Sequence, residues 1–399
     1  MNYIKKLKDY INNITLTNIT NVYVCIITII VPCLFLPYNS TFTNQLCVTL
    51  VISLLWTMYF LLTNLAATIK NKSIITKTSS FKIKDVFKKI DILDYVVIVY
   101  LILVTLSSIL STYFPMTILG TGGRCEGLIT ILLYFFAFYV TYKYASINKK
   151  MVYAFCVSLC IVALVGLIEY LFFDHPARSS FGNQNFLSSY LCMFLPVVML
   201  LYVDTKKIIY LVTSSLTFGC LYASCTSGGY ITFFIIAILV TVYTFIQKKK
   251  NLKQLGILFL IFTIILVIIN IINPAAWAEF ANINKELALT FQKNGLGLNG
   301  RIQIFKTAID MTLKHPILGV GTDCFGLEVF ENYIFTNEWQ EILGFQHSNK
   351  AHSEYLQISA CCGIPALIVY IVFIGIIGIR LWKCFLKDKK NIYVFAVRS

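Results

Sequence analysis

Charge is sparse in this chain. Asp, Glu, Lys and Arg together make up 13% of its 399 residues, and only 18 of those residues are acidic. With 58% hydrophobic residues and a mean hydropathy of +0.77, an ordinary soluble core is excluded, because too little polar surface exists to cover it. Other features are missing too. No small-residue cleavage site follows the first apolar run, so that run is expected to stay as an anchor rather than be removed as a signal peptide. The 13 cysteines form no metal pattern: Cys156 and Cys160 share a helix face, but no third or fourth ligand stands near them. There are no internal repeats and no sizeable cytoplasmic domain.

What the chain does have is apolar length. Stretches able to cross about 30 Å of hydrocarbon recur roughly ten times. They fall at residues 22–38, 46–69, 92–111, 128–147, 151–173, 186–203, 208–224, 230–247, 254–272 and 355–382. The fold class is therefore an all-α polytopic membrane protein, a single integral domain over residues 1–399 with one large loop at 273–354. Asn391 to Ser399 reads as the start of a further span, so eleven or twelve helices are expected in the complete molecule. Cysteines within the spans, such as Cys25, Cys192, Cys220, Cys361 and Cys362, are expected to pack as small polarizable groups.

Lysines alternate along the loops. Lys5, Lys6 and Lys8 precede the first span, and Lys70 to Lys89, Lys149-Lys150, Lys206-Lys207, Lys248 to Lys250 and Lys383 to Lys390 follow on every second loop. Basic residues are retained on the cytoplasmic side, so the N-terminus is expected inside. The +15 net charge is then a topology signal with contact to anionic lipid, and no nucleic-acid partner is implied.

This orientation gathers the histidines, Arg124, Arg178 and Arg301 on the outer side, against the positive-inside trend. An anionic substrate would explain it. Gly120 to Gly127 is a glycine-rich hairpin carrying Arg124, Cys125 and Glu126; it is either a plain turn with a surface ion pair or a loop whose backbone approaches a ligand. Arg178 lies in a short outer loop before Phe181-Gly182-Asn183-Gln184-Asn185, where Asn183 and Asn185 either cap a helix or bind sugar hydroxyls. Within the large loop, Asn299-Gly300-Arg301 reads as the opening of an amphipathic helix with an apolar stripe of Ile302, Phe305, Ile309 and Leu313. That puts Arg301 at the positive helix end, a placement that favours a bound anion. Gly319-Val320-Gly321-Thr322 forms a tight turn and completes no dinucleotide fingerprint. Cys125 and Cys324, both expected outside, stand as a conceivable disulfide pair.

The ordered motifs Phe181-Gly182-Asn183-Gln184-Asn185, Gly300-Arg301, His315 to Gly321, Lys350 to Gln357 and Cys362 to Leu367, with Arg124 to Gly127 upstream, resemble the O-antigen ligase and O-antigen polymerase superfamily. The resemblance covers residues 120–390 in outline. It implies a metal-independent membrane glycosyltransferase without cofactor, at the outer face of a bacterial cytoplasmic membrane. The donor would be an undecaprenyl-diphosphate-linked glycan and the acceptor a glycan, lipid, wall polymer or protein. His352 and Arg301 match the family's loop histidine and arginine and would be catalytic, with Arg124, Arg178 and Arg301 holding the diphosphate. Glu126, Glu354, Asn183, Asn185 and Ser353 would support the base or bind sugar. Ser353 departs from the family's usual asparagine, and Thr226 to Gly229 lacks the arginine often found there. The rival reading is a transporter or flippase of the same lipid-linked glycan, for which Glu169 would be the main membrane-boundary acid.

The lysine pattern generates a topology prediction. Residues 70–91 and 248–253 should be cytoplasmic and 273–354 external. In intact cells carrying a cysteine-depleted Ser80→Cys variant, an impermeant thiol reagent should leave position 80 unlabelled, and labelling there from outside would contradict the orientation.

Overall fold

The structure is a computed structural model and describes residues 16–34, 47–60, 62, 91–121, 125–173, 175–281 and 296–387. The lysine run from Lys70 to Lys89, together with Arg124, lies outside the described residues. The described residues are helical without strands. In chain order the helices are α1 (Leu16–Cys25), α2 (Cys47–Phe60), α3 (Ile92–Ile109), α4 (Leu128–Tyr144), α5 (Lys149–Phe172), α6 (Gln184–Thr205), α7 (Ile208–Ala223), α8 (Ser227–Gln247) and α9 (Leu252–Ile272). They continue with α10 (Leu296–Lys314), α11 (Phe325–Asn332), α12 (Asn337–Leu343) and α13 (Glu354–Lys387).

Among the described residues, six helical segments are long and apolar enough to cross a membrane: Ile92–Ile109, Lys149–Phe172, Gln184–Thr205, Ser227–Gln247, Lys249–Ile272 and Glu354–Lys383. These six support an all-α membrane protein and fall short of the expected count of about ten. The other four expected spans coincide with the shorter apolar helices Thr17–Cys33, Cys47–Phe60, Leu128–Tyr144 and Ile208–Ala223. Hydropathy reports composition, whereas the length of a continuous helix depends on where its backbone ladder ends. In the first of these, α1 passes into a π turn at Ile26–Ile30 and a 3-10 turn at Val31–Cys33, where Pro32 has no N–H to continue the ladder.

The chain divides into two compact units. The first holds α5 to α9, with α7 packed against α5, α6 and α9. Most of α7 is buried, including Thr213, Ser214 and Thr217. Their hydroxyls donate to the carbonyls of Ile209, Tyr210 and Thr213 at 2.7–2.8 Å, so these three polar groups are satisfied within the helix in an apolar surrounding.

In the second unit, α10, α11 and α13 converge with α3 on a core that includes Tyr100, Val104, Ile304, Met311, Phe325 and Ala360. Its defining local feature is a break in α13. Gly363 has φ +85° and ψ 169°, and the freed backbone around it is taken up by the segment that follows α10. Val320 N–H donates to the Ala360 carbonyl and Gly321 N–H to that of Cys361, both at 2.9 Å, while Ile364 N–H donates to Pro316 at 2.8 Å. The His-Pro-Ile-Leu-Gly-Val-Gly and Cys-Gly-Ile-Pro motifs are therefore two halves of one main-chain junction. Hydroxyls from the end of α3 lock it: Ser107 donates to the Cys361 carbonyl at 2.8 Å, and Ser108 shares a 2.8 Å bond with Thr322.

A Cβ on residue 363 would run into the Ile317 carbonyl and adopt a backbone region closed to other residues. Gly363→Ala should cost about 1–3 kcal/mol from the backbone alone, with the clash in addition. It should lower the thermal midpoint of the detergent-purified protein, and an unchanged midpoint would contradict the junction.

Candidate active site

Arg301 sits elsewhere than expected. Helix α10 already includes Leu296, five positions before Arg301, so the arginine lies beyond the first turn and not at the positive helix end. The Asn-Gly pair that reads as a start signal is helical instead. Gly300 is buried, and a Cβ there would stand 2.9 Å from Leu343 of α12, so this glycine serves close packing between two helices. Arg301 is exposed and has no ion-pair or hydrogen-bond partner among the described residues. The apolar stripe also divides differently. Ile304, Ala308 and Met311 enter the core, while Ile302, Ile309 and Leu313 remain exposed.

The best-built polar feature of this unit is an ion cluster around Asp323. Its side chain is 1% exposed and sits beside a Lys350 side chain that is 11% exposed. Lys350 Nζ lies 2.5 Å from Asp323 Oδ1 and 2.5 Å from Glu126 Oε2. The other Asp323 oxygen accepts the N–H of Thr121 at 2.7 Å and that of Glu126 at 3.2 Å. Thr121 Oγ1 donates to the Asp323 carbonyl at 2.7 Å. Burial of Lys350 acts to lower its pKa, but Glu126 and Asp323 outweigh that and hold the ammonium above the ordinary lysine value. Asp323 and Lys350 were not singled out by sequence reasoning. A lysine on a face expected to be poor in lysine, two positions before His352, was the available signal.

Glu126, Asp323, Lys350 and Glu354 line one cavity of about 340 Å³, whose remaining wall is largely apolar and aromatic, with Tyr134 and Phe373 among its rings. Three carboxyl groups against one ammonium make this lining acid-rich.

His352 stands just beyond. It is exposed and adopts φ +52°, a left-handed conformation uncommon outside glycine. Both flanks are fixed. On one side Lys350 is tied into the ion cluster and its carbonyl accepts from Ser348 Oγ at 2.8 Å. On the other, Gln357 Oε1 accepts the Ala351 N–H and the Ser353 carbonyl accepts the Gln357 N–H, each at 2.8 Å, which closes the first turn of α13. Of the other histidines, His347 is bonded through Nε2 to the Gly326 carbonyl at 2.8 Å.

The remaining expected residues belong to the first unit. Asn183 is the N-cap of α6, its side chain accepting the Asn185 N–H at 2.8 Å, so the capping alternative holds for it. Asn185 is exposed in the first turn of the same helix. The Arg178 backbone is held by Glu169, whose Oε2 accepts the N–H groups of Arg178 at 2.9 Å and Ser179 at 2.6 Å. Cys125 and Cys324 are both free thiols, and the conceivable disulfide is absent. Burial pushes the Cys324 thiol up to about 12.

Fold and cavity define a multi-pass, all-α membrane protein with a charged recess among its helices. Residues 212–371 match the family model described as O-antigen ligase, which supports the resemblance of this region to the O-antigen ligase and polymerase superfamily. The matched region contains Arg301, Asp323, Lys350, His352 and Glu354 and leaves out the hairpin at 120–127. No curated protein and no solved structure matches the chain.

Proposed function

We propose that the protein transfers a glycan from undecaprenyl diphosphate to an acceptor at the outer face of a bacterial cytoplasmic membrane. The carrying observation is His352, held in a left-handed conformation between an anchored lysine and the first turn of α13, inside the region that matches the O-antigen ligase family. An acceptor hydroxyl attacks the sugar carbon bonded to the diphosphate. As the new C–O bond forms, the bond to the phosphate oxygen breaks and the hydroxyl proton passes to the His352 imidazole, a group whose ordinary pKa suits that role. The departing diphosphate carries the electron pair. Arg301 meets that charge, with Arg124 as a further cation, and guanidinium groups do so without a metal.

The charge of the cavity divides the labour. Its acid-rich lining repels a diphosphate, and its ammonium is already engaged by two carboxylates. Glu126 and Glu354 are suited instead to accept hydrogen bonds from sugar hydroxyls, with Ser353 as a further polar contact. A flippase reading draws little support from Glu169, whose Oε2 already serves two backbone N–H groups.

Proteoliposomes with purified lipid-linked oligosaccharide and acceptor test the base. His352→Ala should insert normally and lose roughly 10²–10⁴ in rate, together with the limb of the pH profile that an imidazole contributes. Wild-type transfer by this variant would remove the histidine from the mechanism.

A further inference from the structure

We propose that Asp323 is a positioning residue that ties the backbone at Thr121 and Glu126 and the His352 loop to a single point. The inference rests on the transferase reading for its functional consequence, though its geometry stands alone. The two oxygens of this buried carboxylate face different partners. Oδ2 takes the backbone N–H groups of Thr121 and Glu126, on either side of the Arg124 position, while Oδ1 takes the ammonium of Lys350, two residues before His352. Asp323 itself leaves the Gly319-Val320-Gly321-Thr322 turn in a left-handed conformation, φ +59°, and that turn is bonded to the broken helix α13. A rigid main-chain junction therefore aims one carboxylate at the two loops that carry an expected diphosphate ligand and the expected base. Pre-organisation of this kind matters because a misplacement of about 1 Å can cost on the order of a hundredfold in rate.

The side-chain chemistry supplies a clean variant. Asn tolerates the left-handed backbone and keeps the size of Asp, so Asp323→Asn preserves the turn. Its amide, however, must point an NH2 donor at either the Lys350 ammonium or the two backbone N–H groups, donor against donor. Lys350→Gln, by contrast, removes the ammonium from Asp323 Oδ1 and from Glu126 Oε2 but leaves the backbone N–H groups of Thr121 and Glu126 on Asp323.

Hydrogen–deuterium exchange on the resting, full-length protein reads the geometry without any substrate. Asp323→Asn should raise uptake in both 120–127 and 347–353, and Lys350→Gln, which leaves the Thr121 and Glu126 N–H groups bonded, should raise it chiefly in 347–353. Uptake unchanged in either segment of Asp323→Asn would overturn the proposal. Should Asp323→Asn fail to accumulate, Lys350→Gln decides the matter: no rise in 347–353 refutes the link. Transfer kinetics then test the consequence. Asp323→Asn should lower kcat roughly ten- to a hundredfold and raise the donor KM, while Lys350→Gln lowers kcat with the donor KM held. Because Lys350 is argued to act through His352, the double variant Lys350→Gln/His352→Ala should be no slower than His352→Ala. Independent, multiplying losses would mean that Lys350 is merely structural and would overturn the positioning role. A wild-type protein that transfers nothing while the exchange pattern holds would instead refute the transferase reading.

Discussion

A carboxylate sealed from water must be neutralised and fully hydrogen-bonded or the surrounding fold loses several kcal/mol. Asp323 meets that demand with one ammonium and two backbone N–H groups drawn from loops about two hundred residues apart in sequence. The rest of the second unit is arranged to make this possible. The break at Gly363 frees main-chain groups in α13, the segment after α10 pairs with them, and the hydroxyls at the end of α3 secure the pair. Only then does the turn present Asp323 where the hairpin and the His352 loop can both reach it.

The apolar architecture was largely legible before the structure. Each expected span lands on an apolar helix, because hydropathy over twenty residues is a strong signal. Continuity was less legible, since α7 is short yet buried by its neighbours, and α1 loses its regular ladder near Pro32. Local polar signals were ambiguous for an identifiable reason: the same residue type serves two ends. Asn183 is a cap, as its position before a helix allowed. The Asn299-Gly300 pair looked like a helix start, but Gly300 is there for the contact with Leu343. The ion cluster was invisible because it joins Glu126, Asp323 and Lys350 across long loops, where no periodicity links them.

The site separates two electrostatic tasks. Arg301 is exposed and unengaged among the described residues, so it can meet an incoming anion at little desolvation cost. Lys350 is buried and doubly paired, and its charge serves the fold. A surplus of carboxyl groups in the cavity then favours hydroxyl donors over phosphates.

The most direct test of glycan transfer is to follow both halves of the donor. Proteoliposomes containing the wild-type protein would receive a polyprenyl-diphosphate oligosaccharide labelled separately in the glycan and in the lipid, together with a soluble hydroxyl-bearing acceptor. The account predicts that the glycan label moves to the acceptor while the lipid label is released in equal amount as polyprenyl diphosphate. Movement of the intact donor between leaflets, with both labels still joined, would contradict it.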